Sequence, residues 1–165
     1  MDPFLRLTDE QVKVIGEITV DFSHLENFIR LAISYLCGFE SDKLYILLAP
    51  LSFRNLVSVF SNLVEENYSE DKIKLADLRE LVKNLGTIEE KRDAVTHSAW
   101  VRLGSGKAFR FKIPRGQKKG RFQPVGEAVD MEALRAVEDR IGELGLRVAA
   151  LVAELSEEAE KKEKR

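Results

Sequence analysis

The sequence predicts an all-α fold, a bundle of four to five helices with a β-hairpin inserted before the last long helix. Apolar residues recur every three or four positions through most of the chain, and Ser, Thr and Asp stand where helices would begin. One stretch near residue 100 changes to strict alternation, which is typical of a strand. The 165 residues suit one domain, which we place at 1–155, with a charged and frayed tail at 156–165.

Composition excludes several classes of protein. Hydrophobic residues make up 44% and charged residues 33%, and no apolar run approaches the roughly 20 residues that span a bilayer, so no membrane partner is expected. The first residues lack the apolar core of a signal peptide, which leaves the cytoplasm as the expected location. With Cys37 as the sole cysteine, two histidines and no Gly-rich phosphate loop, we expect neither a metal site nor a cofactor.

The first helix is marked at both ends. Thr8 is placed as the N-cap, with Gln11 completing a capping box, and Gly38 is placed to end the helix after about 29 residues. Its inward face is expected to contain Val12, Ile15, Phe22, Leu25, Ile29, Ala32 and Leu36.

The middle of the chain predicts three further helical segments. One follows Ser41, is interrupted by Pro50 and restarts at Ser52 as a new N-cap. The next covers 71–85 and is expected to end at Gly86. Thr87 and Glu90 then form a capping-box pattern that opens a short helix ending near His97.

The alternating stretch predicts a β-hairpin. Its arms are 99–103 and 107–113, joined by a Gly-Ser-Gly turn, and residues 114–126 are expected to form a loop. In the second arm Phe109 and Phe111 face one way, and Arg110 and Lys112 face the other. A last helix is capped by Asp130 and carries an apolar seam from Leu134 to Leu155, and it could pack against the first helix.

Charge is distributed unevenly along the chain. The formal net charge is −2, yet residues 98–126 contain no acidic residue and eight basic ones. This segment could follow an RNA backbone, or it could be a solvated strand edge whose cations prevent aggregation. The candidate RNA contacts are Arg110, Lys112, Lys118, Lys119 and Arg121.

The run Arg92-Asp93-Ala94-Val95-Thr96-His97 is the one segment of the sequence whose residue types indicate a catalytic site. Asp93 precedes His97 by four residues, so on a helix its carboxylate can reach and orient the imidazole. Arg92 offers a permanent charge and a forked donor set for a phosphate, and histidine is suited to proton transfer near neutral pH. The three residues therefore form a candidate phosphodiester site, although the same residue types also occur at ordinary helix ends.

Geometry limits this interpretation. On a regular helix Arg92 and His97 lie about 140° apart around the axis, so in one copy the two side chains point in different directions. Two solutions remain open: the helix frays just before His97, or two copies of the segment meet across a dimer axis.

The segment from Glu90 to Trp100 resembles the R-x4-H signature of the HEPN superfamily. The Phe22-x-x-Leu25-Glu26 pattern is similar to the first helix of several HEPN families, and the helix order agrees. The usual Asn of the motif is Asp93 here, and Ser98 replaces a frequent Gly.

The resemblance implies a homodimeric, metal-independent endoribonuclease in which two motifs meet at the interface, of the kind that occurs as toxins and defence components. Arg92 would hold the scissile phosphate, and His97, next to Asp93, would transfer protons as the ribose 2′-OH attacks, which makes RNA the substrate. Glu26 and Thr96 are possible supporting residues. Because some HEPN proteins lack activity, the alternative is a non-catalytic module that binds RNA or pairs with a nucleotidyltransferase-type antitoxin.

Overall fold

A computed structural model describes residues 6–38, 42–102, 107–112 and 125–164 of the chain. These residues form five helices and one three-stranded antiparallel sheet. In chain order the elements are α1 (Asp9–Leu36), α2 (Asp42–Leu48), α3 (Phe53–Asn67), α4 (Lys72–Thr96), β1 (Ala99–Arg102), β2 (Ala108–Lys112), β3 (Val125–Val129) and α5 (Met131–Glu163).

Local sequence signals set most of the helix ends. The capping box at Thr8 is confirmed, because its hydroxyl accepts from the Gln11 amide while the Gln11 side chain accepts from the Thr8 amide. Ser52 and Asp130 accept the third amide of α3 and α5 in the same way. Gly38 follows the end of α1 with φ of +67°, a conformation that glycine adopts without strain.

The two longest helices pack against each other, as the sequence predicts. Arg135 of α5 pairs with Glu10 near the start of α1 at 2.6 Å. Near the other end, the Tyr35 hydroxyl donates to Ser156 Oγ at 3.3 Å. The early residues of each helix therefore meet, as do the late ones, so α1 and α5 run parallel.

The fourth helix runs in the opposite direction. Lys74, near its start, pairs with Glu154 late in α5 at 2.5 Å, Asp77 pairs with Arg147 in the middle of α5 at 2.7 Å, and Arg79 pairs with Glu65 late in α3 at 2.6 Å. The end of α4 is therefore carried back toward the start of α3 and the middle of α1. This antiparallel path places the candidate motif among three helices.

The inward face of α1 differs from the expectation near its start. Val12 is 56% exposed, whereas Val14 and Ile18 are buried. Ile18 and Val14 lie four and eight residues before the buried Phe22 and continue its stripe, but ten residues carry Val12 to another side of the helix.

The predicted break at Gly86 is wrong, because α4 continues through it. Leu85 and Ile88, on either side of Gly86, are fully buried in the same core stripe. Packing of these side chains outweighs the roughly 1 kcal/mol that glycine costs inside a helix. Thr87 does not form a capping box, since its hydroxyl donates back to the Lys83 carbonyl at 3.2 Å.

The hairpin of β1 and β2 is confirmed, but the all-α description must be widened to include a third strand. β3 pairs with β2, so the loop expected over 114–126 gives way to strand at Val125 and Gly126. The short Val-Gly-Glu-Ala-Val sequence carries little strand signal by itself, and pairing with β2 stabilises it.

The last helix extends further than the sequence predicts. Helical structure continues to Glu163, so the segment expected to fray is helical up to that residue. Neither α5 nor any other described helix combines the length and the apolar character that are needed to cross a membrane.

Candidate active site

The helix α4 ends at Thr96, directly before His97. The His97 amide still donates to the Asp93 carbonyl at 3.1 Å, but its ψ of 14° leaves the helical range. The indole Nε1 of Trp100 in β1 donates to the Val95 carbonyl at 2.8 Å, which satisfies one of the last helix carbonyls. The first strand of the sheet is thereby fastened to the end of the helix.

One carboxylate oxygen joins the residues of the motif. Arg92 Nη1 donates to Asp93 Oδ1 at 3.0 Å, and His97 Nε2 lies 3.7 Å from the same oxygen. Both basic groups therefore approach one oxygen within a single chain, because Arg92 adjoins Asp93 and His97 follows Asp93 by one helical turn. The His97 side chain is 62% exposed, so its imidazole is accessible to a bound molecule.

A buried aromatic ring supports the arginine. The guanidinium carbon of Arg92 lies 4.6 Å from the centroid of the Phe22 ring, and Phe22 itself packs against Phe53 with centroids 4.4 Å apart. This cation–π contact fixes the guanidinium where only 24% of the side chain is exposed. Its Nε is buried without a hydrogen-bond partner among the described residues. Partial desolvation of this kind strengthens attraction for an anion.

A second polar cluster lies on α1, one turn beyond Phe22. Glu26, which the sequence leaves as either a supporting residue near Arg92 or a solvated helix residue, forms an ion pair with Arg30 at 2.8 Å. Arg30 also donates to Asn27 Oδ1 at 3.3 Å, and the Tyr45 hydroxyl of α2 donates to the same oxygen at 3.2 Å. The sequence interpretation missed this cluster, although the four-residue spacing of Glu26 and Arg30 is a recognisable signal for such a pair.

Thr96 has a structural contact. Its hydroxyl donates to the carbonyl of Arg92 at 3.1 Å, within the last turn of α4. Thr96 therefore stabilises the helix end that carries the motif, a backbone role that differs from direct support of the imidazole.

The proposed RNA contacts divide into two groups. Arg110 is paired with Glu127 on the neighbouring strand, through Nε at 2.8 Å and through Nη2. The charge of Arg110 is therefore already balanced by Glu127, a partner that the sequence pattern does not indicate. Lys112 is the last residue of β2. The predictions for Lys118, Lys119 and Arg121 lie outside the described residues.

Among the residues that the structure describes, no three or more His, Cys, Asp or Glu side chains are grouped closely enough to hold a metal ion. Comparison with protein-family models, with curated proteins and with solved structures finds no match to this chain. The resemblance to the HEPN superfamily therefore depends on the R-x4-H motif and the order of the helices.

Proposed function

We propose that the protein is a metal-independent endoribonuclease of HEPN type, which cleaves RNA by 2′-OH attack at a composite site between two copies of the chain. The observation that carries the proposal is the convergence of Arg92 and His97 on Asp93 Oδ1, at 3.0 and 3.7 Å. An arginine and an accessible histidine around one anionic oxygen form an arrangement that a phosphate oxygen can enter.

Each basic residue has a separate task in this proposal. The Arg92 guanidinium, fixed on Phe22, binds the scissile phosphate and offsets the charge that develops there. The 2′-oxygen bonds to phosphorus as the bond to the 5′-oxygen breaks, which leaves a 2′,3′-cyclic phosphate and a free 5′-hydroxyl. One imidazole takes the 2′ proton while another gives a proton to the 5′-oxygen. The need for two imidazoles is the reason for proposing two copies of His97.

The carboxylate of Asp93 competes with a substrate phosphate for Arg92. This carboxylate already holds Arg92, so a substrate phosphate must displace it from the guanidinium. The same carboxylate orients the imidazole of His97 across one helical turn. Asp93 thus assists positioning and competes with the substrate, and a strong competitor would favour the alternative of a non-catalytic binding module.

An apolar patch on α2 supports self-association. Ile46 and Leu47 are 70% and 69% exposed, and Tyr45 next to them connects the patch to α1 through Asn27. Exposed apolar side chains in a row are typical of an interaction surface. We expect wild-type protein to sediment as a dimer at tens of micromolar, and a Leu47→Glu variant to sediment as a monomer. A wild-type monomer at that concentration would contradict the composite site.

The decisive test is RNA cleavage in the presence of EDTA. Wild-type protein is compared with His97→Ala and with His24→Ala, which alters the only other histidine. We expect cleavage to fall by about 100-fold or more in His97→Ala and to be unchanged in His24→Ala. Equal cleavage by both variants would remove the catalytic role of His97. Failure of the wild type to cleave any RNA would favour the non-catalytic module, which binds RNA or an antitoxin of the nucleotidyltransferase type.

A further inference from the structure

We infer that the outer face of the sheet is a stacking platform for the bases of single-stranded RNA, with Phe109 at its centre. The inference rests on RNA as the substrate class of the proposed function, and it adds a binding surface outside the Arg92 motif. None of the residues predicted from the sequence to contact RNA belongs to this face.

The strand register defines the two faces of the sheet. Phe109 lies opposite Val101 on β1 and Ala128 on β3, and Phe111 lies opposite Ala99 and Gly126. Directly opposed residues in antiparallel strands project to the same side. These six residues therefore form one face, which we call the Phe109 face.

The opposite face of the sheet covers the bundle. Trp100 and Val129 pack against the hydrophobic core, and Ala108 is buried on the same side. Phe109, Phe111 and Val101 do not join that core cluster. The Phe109 face is therefore turned away from the helices, although it carries both phenylalanines of the described strands.

Phe109 packs closely against β3 because the residue diagonal to it is glycine. A Cβ atom built on Gly126 would lie 2.5 Å from Cε1 and 2.6 Å from Cζ of the Phe109 ring. The far edge of the ring therefore rests against the β3 backbone, and the side chain is half-buried. An aromatic ring on an outward sheet face is a surface on which nucleobases stack.

Charge favours RNA over an acidic or neutral partner. No acidic residue occurs from Ser98 to Gly126, and Glu127 is already paired with Arg110. Lys107 is exposed immediately before β2. An aromatic face that has no carboxylate among its six residues, next to the exposed Lys107, fits the bases and the phosphates of one strand.

Substitutions that separate stacking from apolar bulk test the platform. A fluorescent 12-nucleotide oligouridine is titrated by anisotropy into protein that carries His97→Ala, so that no cleavage intervenes. We expect Phe109→Leu to raise the Kd about fivefold or more, because leucine keeps the bulk but loses the ring. Phe109→Tyr keeps the ring and should stay within about twofold of the parent. Equal effects of Leu and Tyr, or no binding by the parent, would overturn the proposal.

Gly126→Ala provides a second variant that leaves Phe109 in place. Its methyl group would lift the ring from the sheet, and we expect a similar loss of oligouridine binding. Emission from Trp100, the only tryptophan, reports whether the sheet remains folded in each variant. A folded Gly126→Ala protein with unchanged binding would overturn the platform.

The outcome is distinguishable from failure of the nuclease proposal. Phe109-dependent binding by a wild-type protein that cleaves nothing would support the platform and remove the nuclease. Cleavage with an unchanged KM in Phe109→Leu would retain the nuclease and remove the platform. If Phe109→Leu converts a dimer to a monomer without RNA, the face contacts a second copy instead, and the proposal is overturned.

Discussion

The end of α4 and the Phe109 face of the sheet are the two surfaces that we propose for RNA binding, and they differ in how many of their groups already have a partner within the protein. At the end of α4 the basic groups have an internal partner, since Arg92 is held by Asp93 and His97 lies near the same oxygen. On the Phe109 face, the ring has a support on one side, Gly126, and no described partner from the core on the other.

The two surfaces therefore differ in the free energy that is lost when a ligand binds. A phosphate at the end of α4 must replace an existing ion pair, so its net gain is a difference between two strong interactions. A base on Phe109 replaces only water, and its gain is modest and independent of sequence. We therefore expect the motif to control chemistry and the sheet to control retention of the strand. Four measurements test this contrast, and they are given in order of decreasing effect.

Replacing Arg92 and Arg110 in turn tests which of the two arginines binds the scissile phosphate. We expect Arg92→Ala to lower kcat/KM for RNA cleavage by about 100-fold, because the guanidinium offsets charge in the transition state. Arg110→Ala should change it by less than about threefold, since Arg110 is compensated by Glu127. Arg92→Lys keeps the charge without the fork and should recover only part of the loss. Comparable losses in Arg92→Ala and Arg110→Ala would contradict the assignment of the phosphate site.

Trp100→Phe should loosen the connection between the two surfaces. It removes the hydrogen bond to the Val95 carbonyl, which costs about 1 kcal/mol and lowers Tm by about 2–4 °C. Tyr35→Phe removes one hydrogen bond near the other end of the bundle and is the matched control. Hydrogen exchange should speed up in the sheet and the last turn of α4 for Trp100→Phe only. Uniform acceleration across the chain would show that the indole does not join these parts specifically.

Asp93→Asn tests the competing carboxylate. It frees Arg92 from its ion pair, and we expect RNA affinity at low salt to rise about threefold. Glu138→Gln on α5 removes the same charge elsewhere and should leave affinity unchanged. Both are measured by anisotropy with the oligouridine. Lower affinity in Asp93→Asn would indicate that positioning of His97 outweighs competition.

Glu138→Gln also has a small effect on stability. Burial, together with the nearby carboxylates of Glu17, Asp139 and Asp21, raises the pKa of Glu138. The folded state therefore binds this proton more tightly than the unfolded chain, and the ionised carboxylate destabilises the fold once the pH exceeds the raised pKa. We expect the variant to be more stable at pH 7 by less than about 0.5 kcal/mol, with the gain vanishing at about pH 4 and below. A gain that persists at low pH would show that charge is not its cause.

Residues with strong local signals were predicted well. Thr8, Gln11, Ser52 and Asp130 cap helices as expected, because a cap needs only a side-chain oxygen and the amides that follow it. The apolar seam of α5 is buried because its spacing alone fixes one helix face. The motif was likewise identified at a helix end, where the structure has it.

Residues whose state depends on distant partners were predicted poorly. Gly86 and Thr87 have the pattern of a helix break, yet burial of Leu85 and Ile88 carries α4 through them. The outer strand β3 has a weak sequence pattern and depends on β2 for its hydrogen bonds.

The sequence alone is enough to predict the helical periodicity, the caps and the presence of an arginine, a carboxylate and a histidine within six residues, because these are properties of neighbouring positions along the chain. The same local spacing brings Arg92 and His97 to one oxygen of Asp93. Tertiary structure supplies the surroundings of the motif: the sheet is fastened to the end of α4 through Trp100, and Phe22 of another helix holds the guanidinium. The outward orientation of Phe109 was also decided there, since strand alternation defines two faces and only packing against the bundle selects which one is buried.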